Sequence, residues 1–313
     1  MINQVALNEE TQRNWDFAIA KSILDVPFYT YEWHSVYFST TGEKEIPFIL
    51  HLPELSVIAP FAKNESTISF VGPEITDYSD IIGTEEQKES AWNELLPYLK
   101  ENGIQTINLT NVPESSITYS YFLNHSKERY AIEIKQRDTT PKIILPQDFD
   151  SYCHSLSRKE RHELKRKNRR FIHDYPDAMI HSSNDIKNDI EILIDLMLLD
   201  ERKKQFFTPE NLAFFRALPV VFPEKLILQI LMIDNQPATA ILAFKTAQSF
   251  FLYNSGFDQS KFPGAGFHLK AESIRYALEN HFEEYNFLRG NERYKYDLGG
   301  KDFAVFDISI KFF

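Results

Sequence analysis

Between Leu226 and Ser255 the chain carries three apolar segments in immediate succession: Leu226-Ile-Leu-Gln-Ile-Leu-Met-Ile233, Ala238-Thr-Ala-Ile-Leu-Ala-Phe-Lys245 and Ser249-Phe-Phe-Leu-Tyr-Asn-Ser255. They are rich in β-branched and aromatic residues. The turn Asp234-Asn-Gln-Pro237 and the short link after Lys245 leave no room for a crossover, so the spacing predicts three antiparallel neighbours. Helical patterns stand on both sides. The stretch from Ser157 to about Asp174 lacks Gly and Pro. Asn184 to Lys204 carries a stripe of Ile190, Leu193, Ile194, Met197 and Leu198. Pro209 after Thr208 opens a helix to about Leu218, and another runs from His268 to about His281, ahead of a strand at Tyr285–Leu288. The order α-α-α-β-β-β-loop-α-β-β over about 170 residues reads as an α+β or mixed α/β sandwich.

A chain of 313 residues is long enough for a second core. Ahead of the Pro-punctuated connection Thr139–Pro146, the first ~25 residues and Pro27–Phe38 read as helices. Pro47–Leu52, Ser56–Ala62 and Thr67–Gly72 read as a strand meander. Thr84–Leu99 follows as a capped amphipathic helix, and Thr106–Thr110 and Tyr130–Lys135 as further strands. The expected division is 1–145 and 146–313.

The formal charge is 34 − 45 = −11, which disfavours diffuse binding to nucleic acid or anionic membrane. Ser157–Phe171 breaks that rule, with eight Lys or Arg against two Glu: it is locally +6 in a chain that is −17 elsewhere. The single cysteine, Cys153, excludes an internal disulfide and a thiolate zinc cage, and reads as a small buried thiol rather than a nucleophile. No leader-like N-terminus and no run of about 18 apolar residues is present, so a cytoplasmic protein is expected. No His-Glu-x-x-His, no Gly-x-Ser-x-Gly and no carboxylate–histidine spacing points to a metal or a serine nucleophile.

Two segments stand out chemically. Lys261-Phe-Pro-Gly-Ala-Gly266 lies between a strand and a helix, where glycines allow close backbone approach and the helix start offers unpaired N–H groups to a pyrophosphate. A tight loop and an ordinary helix start would read the same way. The spacing is neither Walker A nor the dinucleotide fingerprint, so a P-loop ATPase or an NAD enzyme is not supported. Asn286-Phe-Leu-Arg-Gly-Asn-Glu-Arg-Tyr-Lys-Tyr-Asp-Leu-Gly-Gly300 runs from an apolar strand straight into polar residues, either a site at a strand end or a solvated loop.

Ser249–Asp258, Pro263–Gly266 and Asn286–Lys295, in that order, resemble the acyltransferase family named after CelD and BcsL of cellulose biosynthesis. That family is a branch of the GNAT superfamily related to Fem-type peptidyltransferases. The basic helix from Ser157 and Thr76-Asp-Tyr-Ser-Asp80 after Gly72 are similar to it as well. The resemblance implies two GNAT-like lobes, each a mixed, largely antiparallel sheet flanked by helices, with the first degenerate and the second binding the acyl donor.

It further implies acetyl-CoA or another acyl-CoA as co-substrate and no metal. The donor pyrophosphate would lie on Lys261, Gly264, Ala265 and Gly266, where Lys261 departs from the family's Arg or Gln, and the pantetheine arm would pair with the backbone of Tyr253 and Asn254. Acyl transfer to an amine needs a proton acceptor, Glu292 or Asp258, and an acid for the leaving thiolate, Tyr294 or alternatively Tyr296. Lys295 beside Arg289 would stabilise the oxyanion or hold an acidic acceptor. An Arg-Gly-Asn-Glu loop could equally serve only to brace the two lobes. The basic helix, with Arg158 and Arg161, is a solvated face, a contact for CoA phosphates or an acidic glycan or lipid headgroup, or a contact for the tRNA of an aminoacyl donor. The acceptor is a small molecule, sugar or lipid headgroup. An aminoacyl-tRNA-dependent transferase and a non-catalytic accessory module that keeps the fold are the alternatives.

Overall fold

Local signals set most element starts. Asn8 Oδ1 accepts from Thr11 N–H at 2.9 Å, and Thr84, Ser157 and Thr208 cap later helices in the same way, Ser157 in a reciprocal capping box with Glu160. The computed structural model describes residues 2–22, 24–41, 45–124 and 130–313. They form two units, 1–139 with 303–313, and 140–302.

The first unit begins with β1 (Asn3–Val5), α1 (Glu9–Ile19), a 3-10 turn at Pro27–Tyr29 and α2 (Tyr31–Thr41). The expected meander follows as β2 (Ile46–Leu52), β3 (Val57–Asn64) and β4 (Thr67–Phe70). Then come α3 (Glu85–Glu101), β5 (Thr106–Pro113), α4 (Ile117–Asn124) and β6 (Tyr130–Thr139). The second unit holds β7 (Lys142–Ile144), α5 (Phe149–Ser155), α6 (Arg158–Asp174), β8 (Met179–Ser182), α7 (Ile186–Met197), α8 (Glu201–Phe206) and α9 (Pro209–Val221). It continues with β9 (Leu226–Ile233), β10 (Gln236–Lys245), β11 (Ser249–Phe257), α10 (Ala265–Glu279), β12 (Glu284–Asn286) and α11 (Arg293–Asp297). The last strand, β13 (Ala304–Phe312), inserts between β5 and β6, so the first sheet runs β1-β2-β3-β4-β5-β13-β6 and the second β7-β12-β11-β10-β9-β8. Both are mixed sheets flanked by helices, the fold class expected.

Several expectations are corrected. The second unit does not extend to residue 313, because Val305, Ile308 and Ile310 are buried in the first unit's sheet and β13 pairs with β5 and β6 along its length. The Thr139–Pro146 connection contains β7, antiparallel to β12. Asn184–Lys204 is two helices, since Asp200 accepts from Arg202 N–H at 2.9 Å and starts α8 afresh. α5 and α11 fall where the sequence pattern predicts no helix, and β1 where it predicts one.

Candidate active site

The three central strands pair antiparallel as their short turns require. The register of β10 and β11 slips between Leu242 and Ala243, and Tyr253 is the extra residue of a bulge. On its other side β11 runs parallel to β12 for only three pairs, Ser249↔Glu284, Phe250↔Tyr285 and Phe251↔Asn286. β12 then ends, while β11 continues to Phe257. The two strands part, and α10, the crossover between them, begins beside the opening.

The start of α10 is built for close approach. Gly264 caps it at φ +92°, and a Cβ on Gly266 would meet the Phe257 ring at 3.2 Å. Ala265 N–H is bonded to Phe262 O, whereas the amides of Gly266 and Phe267 find no partner among the described residues. A cavity of about 320 Å³ opens here, lined by Pro263, Gly264 and Phe267 together with Arg166, Lys167 and Arg170 of the basic helix α6. Each of these cations also holds an acid: Arg166 with Glu163, Lys167 with Asp297 and Arg170 with Asp174. A second cavity, about 510 Å³, runs along the end of β11, between Ser255–Ser260 and the Leu196–Lys203 segment.

Past β12 the chain turns through Leu288, at φ +57°, and Gly290, at φ +115°. The turn is held from inside. Lys295, 2 % exposed, donates to the carbonyl oxygens of Leu288 at 2.9 Å, Arg289 at 2.7 Å and Gly290 at 3.1 Å. Its ammonium also pairs with Glu292 at 3.0 Å. A Cβ on Gly290 would lie 2.5 Å from Glu292 Oε2, so only glycine lets the carboxylate fold back here. Burial pushes the Glu292 carboxyl up, but the charge and hydrogen bond of Lys295, with a backbone N–H, hold it below the usual carboxylate range. The Tyr294 hydroxyl is pushed well above the ordinary tyrosine value by burial and by Glu292 and Tyr285, so it keeps its proton.

The sequence-derived candidates divide accordingly. Glu292, Tyr294 and Lys295 come together. Lys295, however, is committed to three carbonyls and a carboxylate, which makes it a clamp on the Leu288–Gly290 turn rather than a free oxyanion donor. Arg289 contributes its carbonyl to that clamp. Asp258 Oδ1 accepts from Ser260 Oγ at 2.7 Å and Lys261 N–H at 2.9 Å. Those bonds hold its carboxyl below the usual range, so it organises the loop into α10 and is a poor base. Lys261 is exposed and bonds Gln236 through Nζ. Tyr253 is a core residue, its ring 5.7 Å from Phe215 and 5.4 Å from Phe244, with Asn254 next to it on the strand. Tyr296 donates to Asp302 at 2.6 Å. Arg158 and Arg161 stand at the first turn of α6 and line neither cavity; Arg166, Lys167 and Arg170 do so instead. Ala265 sits buried in the first turn of α10.

Two lysines escaped the sequence reading. Lys203, on α8, donates Nζ to the carbonyl of Ser255 on β11, and burial lowers its pKa. Lys270, on α10, is 4 % exposed, its Nζ lying 4.7 Å from the Tyr294 ring centroid and 5.3 Å from that of Phe257. The signal for Lys270 was present: Gly266, Lys270, Ser273, Ile274 and Ala277 share one helical face, and all are buried. Among the described residues no group of three or more His, Cys, Asp or Glu is placed to hold a metal ion, and no helix is long and apolar enough to cross a membrane.

Residues 158–296 match the family described as the acetyltransferase (GNAT) domain, and the second unit carries a GNAT-type acetyltransferase domain. Several solved structures share the whole fold. FemX is 10% identical with a TM-score of 0.67, covering 98% of this chain and 96% of its own. The C-terminal domain of a putative lysylphosphatidylglycerol synthetase from Agrobacterium fabrum is 9% identical with a TM-score of 0.64, covering 97% and 92%. A tandem GNAT protein of the clavulanic acid biosynthesis pathway is 12% identical with a TM-score of 0.52, covering 98% and 97%. No curated protein matches the sequence.

Proposed function

We propose that the protein is an acyltransferase, moving an acetyl or other acyl group from acyl-CoA to an amine or hydroxyl of a sugar, lipid-headgroup or other small acceptor. The observation that carries this reading is the start of α10, where the amides of Gly266 and Phe267 are unpaired among the described residues and a cavity is lined by Pro263, Gly264 and Phe267 with the cations Arg166, Lys167 and Arg170 of α6, next to a sheet in which β11 and β12 pair for only three positions. Backbone amides at a helix start and guanidinium groups are what a pyrophosphate needs, while the end of β11 and the larger cavity offer a path for a pantetheine arm. In this reading Tyr294, held protonated, supplies the proton to the leaving thiolate. Glu292, held ionised, receives the acceptor's N–H or O–H as a hydrogen bond. Lys295 positions Glu292 and the turn. The first unit is a GNAT-like lobe that carries no donor, the protein acts in the cytoplasm, and the likeness to the CelD and BcsL acyltransferases belongs to this same proposal.

A second reading is favoured by the basic helix and by the likeness to FemX and the lysylphosphatidylglycerol synthetase domain: the donor is an aminoacyl-tRNA. Thermal unfolding with CoA, acetyl-CoA, longer acyl-CoAs and charged tRNA decides between them. A ligand at about a hundred times its Kd stabilises by roughly 2.7 kcal/mol, a shift of several degrees. We expect a shift with one acyl-CoA that disappears in the Gly264→Glu, Gly266→Glu double variant. A shift with charged tRNA alone, weakening steeply with salt, supports the second reading, and no shift with any of them supports an accessory module.

A further inference from the structure

The acceptor's proton has to go somewhere, and the carboxylates near the opening are all committed, Asp200 to Arg202 and Glu201 to Lys204 at the larger cavity among them. Asp258 is bonded into its own loop, and Glu292 is paired to Lys295 and held below the carboxylate range. Lys270 is placed differently. It is buried, its Nζ makes no hydrogen bond or ion pair among the described residues, and it lies between the Phe257 ring at the end of β11 and the Tyr294 ring beyond β12. It therefore sits in the gap left by the parting strands. Phe257 also walls the larger cavity, as does Lys203. The charged and titratable groups that face Lys270 are Lys203 from α8, Glu292 at the start of α11, and Tyr294 and Lys295 within it. Two cations and one carboxylate, the latter already neutralised by Lys295, give an ammonium here no acid of its own. The physical consequence is an amine kept largely neutral.

We propose that Lys270 is the proton acceptor of the transfer, a role that rests on reading the protein as an acyltransferase. The acceptor's nitrogen or oxygen forms a bond to the donor carbonyl carbon as its proton passes to the neutral Nζ, leaving an ammonium. The C–S bond of the thioester breaks and the thiolate takes the Tyr294 hydroxyl proton. Proton return from the Lys270 ammonium to the tyrosinate resets both groups, so no further reactant is needed. Burial first, then Lys203 and Lys295 against the pull of Glu292, lower Lys270 from 10.5 to about 7, where a general base works best at neutral pH.

The test uses the full chain with ¹³C-labelled lysine, the Lys270 Cε–Hε resonance being assigned by its loss in Lys270→Arg. A titration midpoint near 7 is expected, and one near 10.5 overturns the proposal whatever the donor. In parallel, CoA release from acetyl-CoA is followed with glycinamide and with water as acceptor. We expect a rate that rises with pH to a plateau above the midpoint. Lys270→Met and Lys270→Arg should each lower it by roughly 10²-fold or more, with acetyl-CoA affinity unchanged. Lys270→Met removes a buried charge and should fold at least as well as the native chain. A Lys270→Arg variant at native rate overturns the role, because arginine cannot accept the proton. A loss confined to KM and rescued by arginine also overturns it, in favour of charge anchoring. A native chain that binds no acetyl-CoA overturns the donor reading instead, and the titration then still rules on Lys270.

Discussion

The two units contain the same device in two conditions. In each, a helix crosses between two parallel strands that stay paired for only three positions: β4 and β5 at Thr67↔Thr106, Ile68↔Ile107 and Ser69↔Asn108, and β11 and β12 at Ser249↔Glu284, Phe250↔Tyr285 and Phe251↔Asn286. In the first unit the segment after β4 folds onto β5. Ser79 N–H bonds Asn111 O at 3.0 Å, and Asn111 Nδ2 bonds the carbonyls of Thr76 at 2.7 Å and Pro73 at 3.1 Å. Asp80, just beyond, is saturated by Lys88, Ser116, Thr118 and its neighbour's amide. In the second unit the segment after β11 turns away through Asp258 into α10, beside the cavities of about 510 and 320 Å³; the first unit keeps one of about 410 Å³ at Ser69, Pro73 and Asn108–Thr110, so the two differ in what folds over the opening and not in the presence of a cavity.

The two buried lysines report the same difference. Lys88, 1 % exposed, pairs with Asp80 at 2.6 Å and Glu85 at 2.5 Å, and these outweigh its burial and raise its pKa. Lys270 has no such acid and is lowered. A buried charge is thus no mark of function; what it lacks as a partner is.

That contrast can be broken. The largest effect should come from Lys88→Met, which strands two carboxylates in the first unit and should cost about 3–5 kcal/mol. All three tryptophans, Trp15, Trp33 and Trp92, lie in that unit, so the urea midpoint of tryptophan fluorescence reads it directly. An unchanged midpoint would break the comparison.

Lys270→Met should move the other way. The folded pKa of Lys270 lies below its unfolded value, so the unfolded chain holds the extra proton between about pH 7 and 10.5, and native stability rises with pH across that window. At pH 7 and below the native chain bears the full cost of the buried ammonium. The variant should therefore be more stable there, by an order of a few kcal/mol at ~1.4 kcal/mol per pKa unit. The advantage should fade towards pH 10.5, read by hydrogen exchange along α10 with the tryptophan transition unmoved. An advantage that does not change with pH would mean that Lys270 is not the group titrating.

Lys295→Met should have the smallest effect, about 2 kcal/mol, because a charged donor to the three carbonyls of the Leu288–Gly290 turn is lost. Faster exchange confined to residues 286–300 would sharpen the picture of Lys295 as a clamp. Exchange spread over the whole second unit would assign it a role in the core.

Much of the fold was legible because its signals are local. The β9–β10–β11 order and the cap and Pro209 of α9 follow from residues a few positions apart, while α10 begins at Ala265, three residues ahead of the expected His268, because Gly264 takes the left-handed cap and leaves Gly266 inside the helix. Legibility failed where an element owes its existence to a distant partner. β7 is a three-residue strand made by pairing with β12, and β13 belongs to a sheet whose other strands lie more than 160 residues earlier in the chain. The candidate site was half legible. The polar run after β12 pointed to Glu292, Tyr294 and Lys295 and even contains the carbonyls of Leu288, Arg289 and Gly290 that Lys295 takes, but a run of polar residues does not say which backbone oxygens turn onto an ammonium, and Lys203 and Lys270 come from other elements.

Periodicity, caps and turn lengths are enforced over a few residues by backbone sterics and hydrogen bonding, and from them the chain's order already specified a mixed sheet, its flanking helices and the glycine-bounded helix start that faces the opening. Protonation obeys a longer-range rule. Whether a lysine is an inert ion pair or a neutral amine depends on which acids and how much water surround it, and those neighbours come from α8, β11 and α11, brought around Lys270 by folding alone. Spacing could put Lys270 on the buried face of its helix; the packed structure left it without a paired acid and supplied two to Lys88.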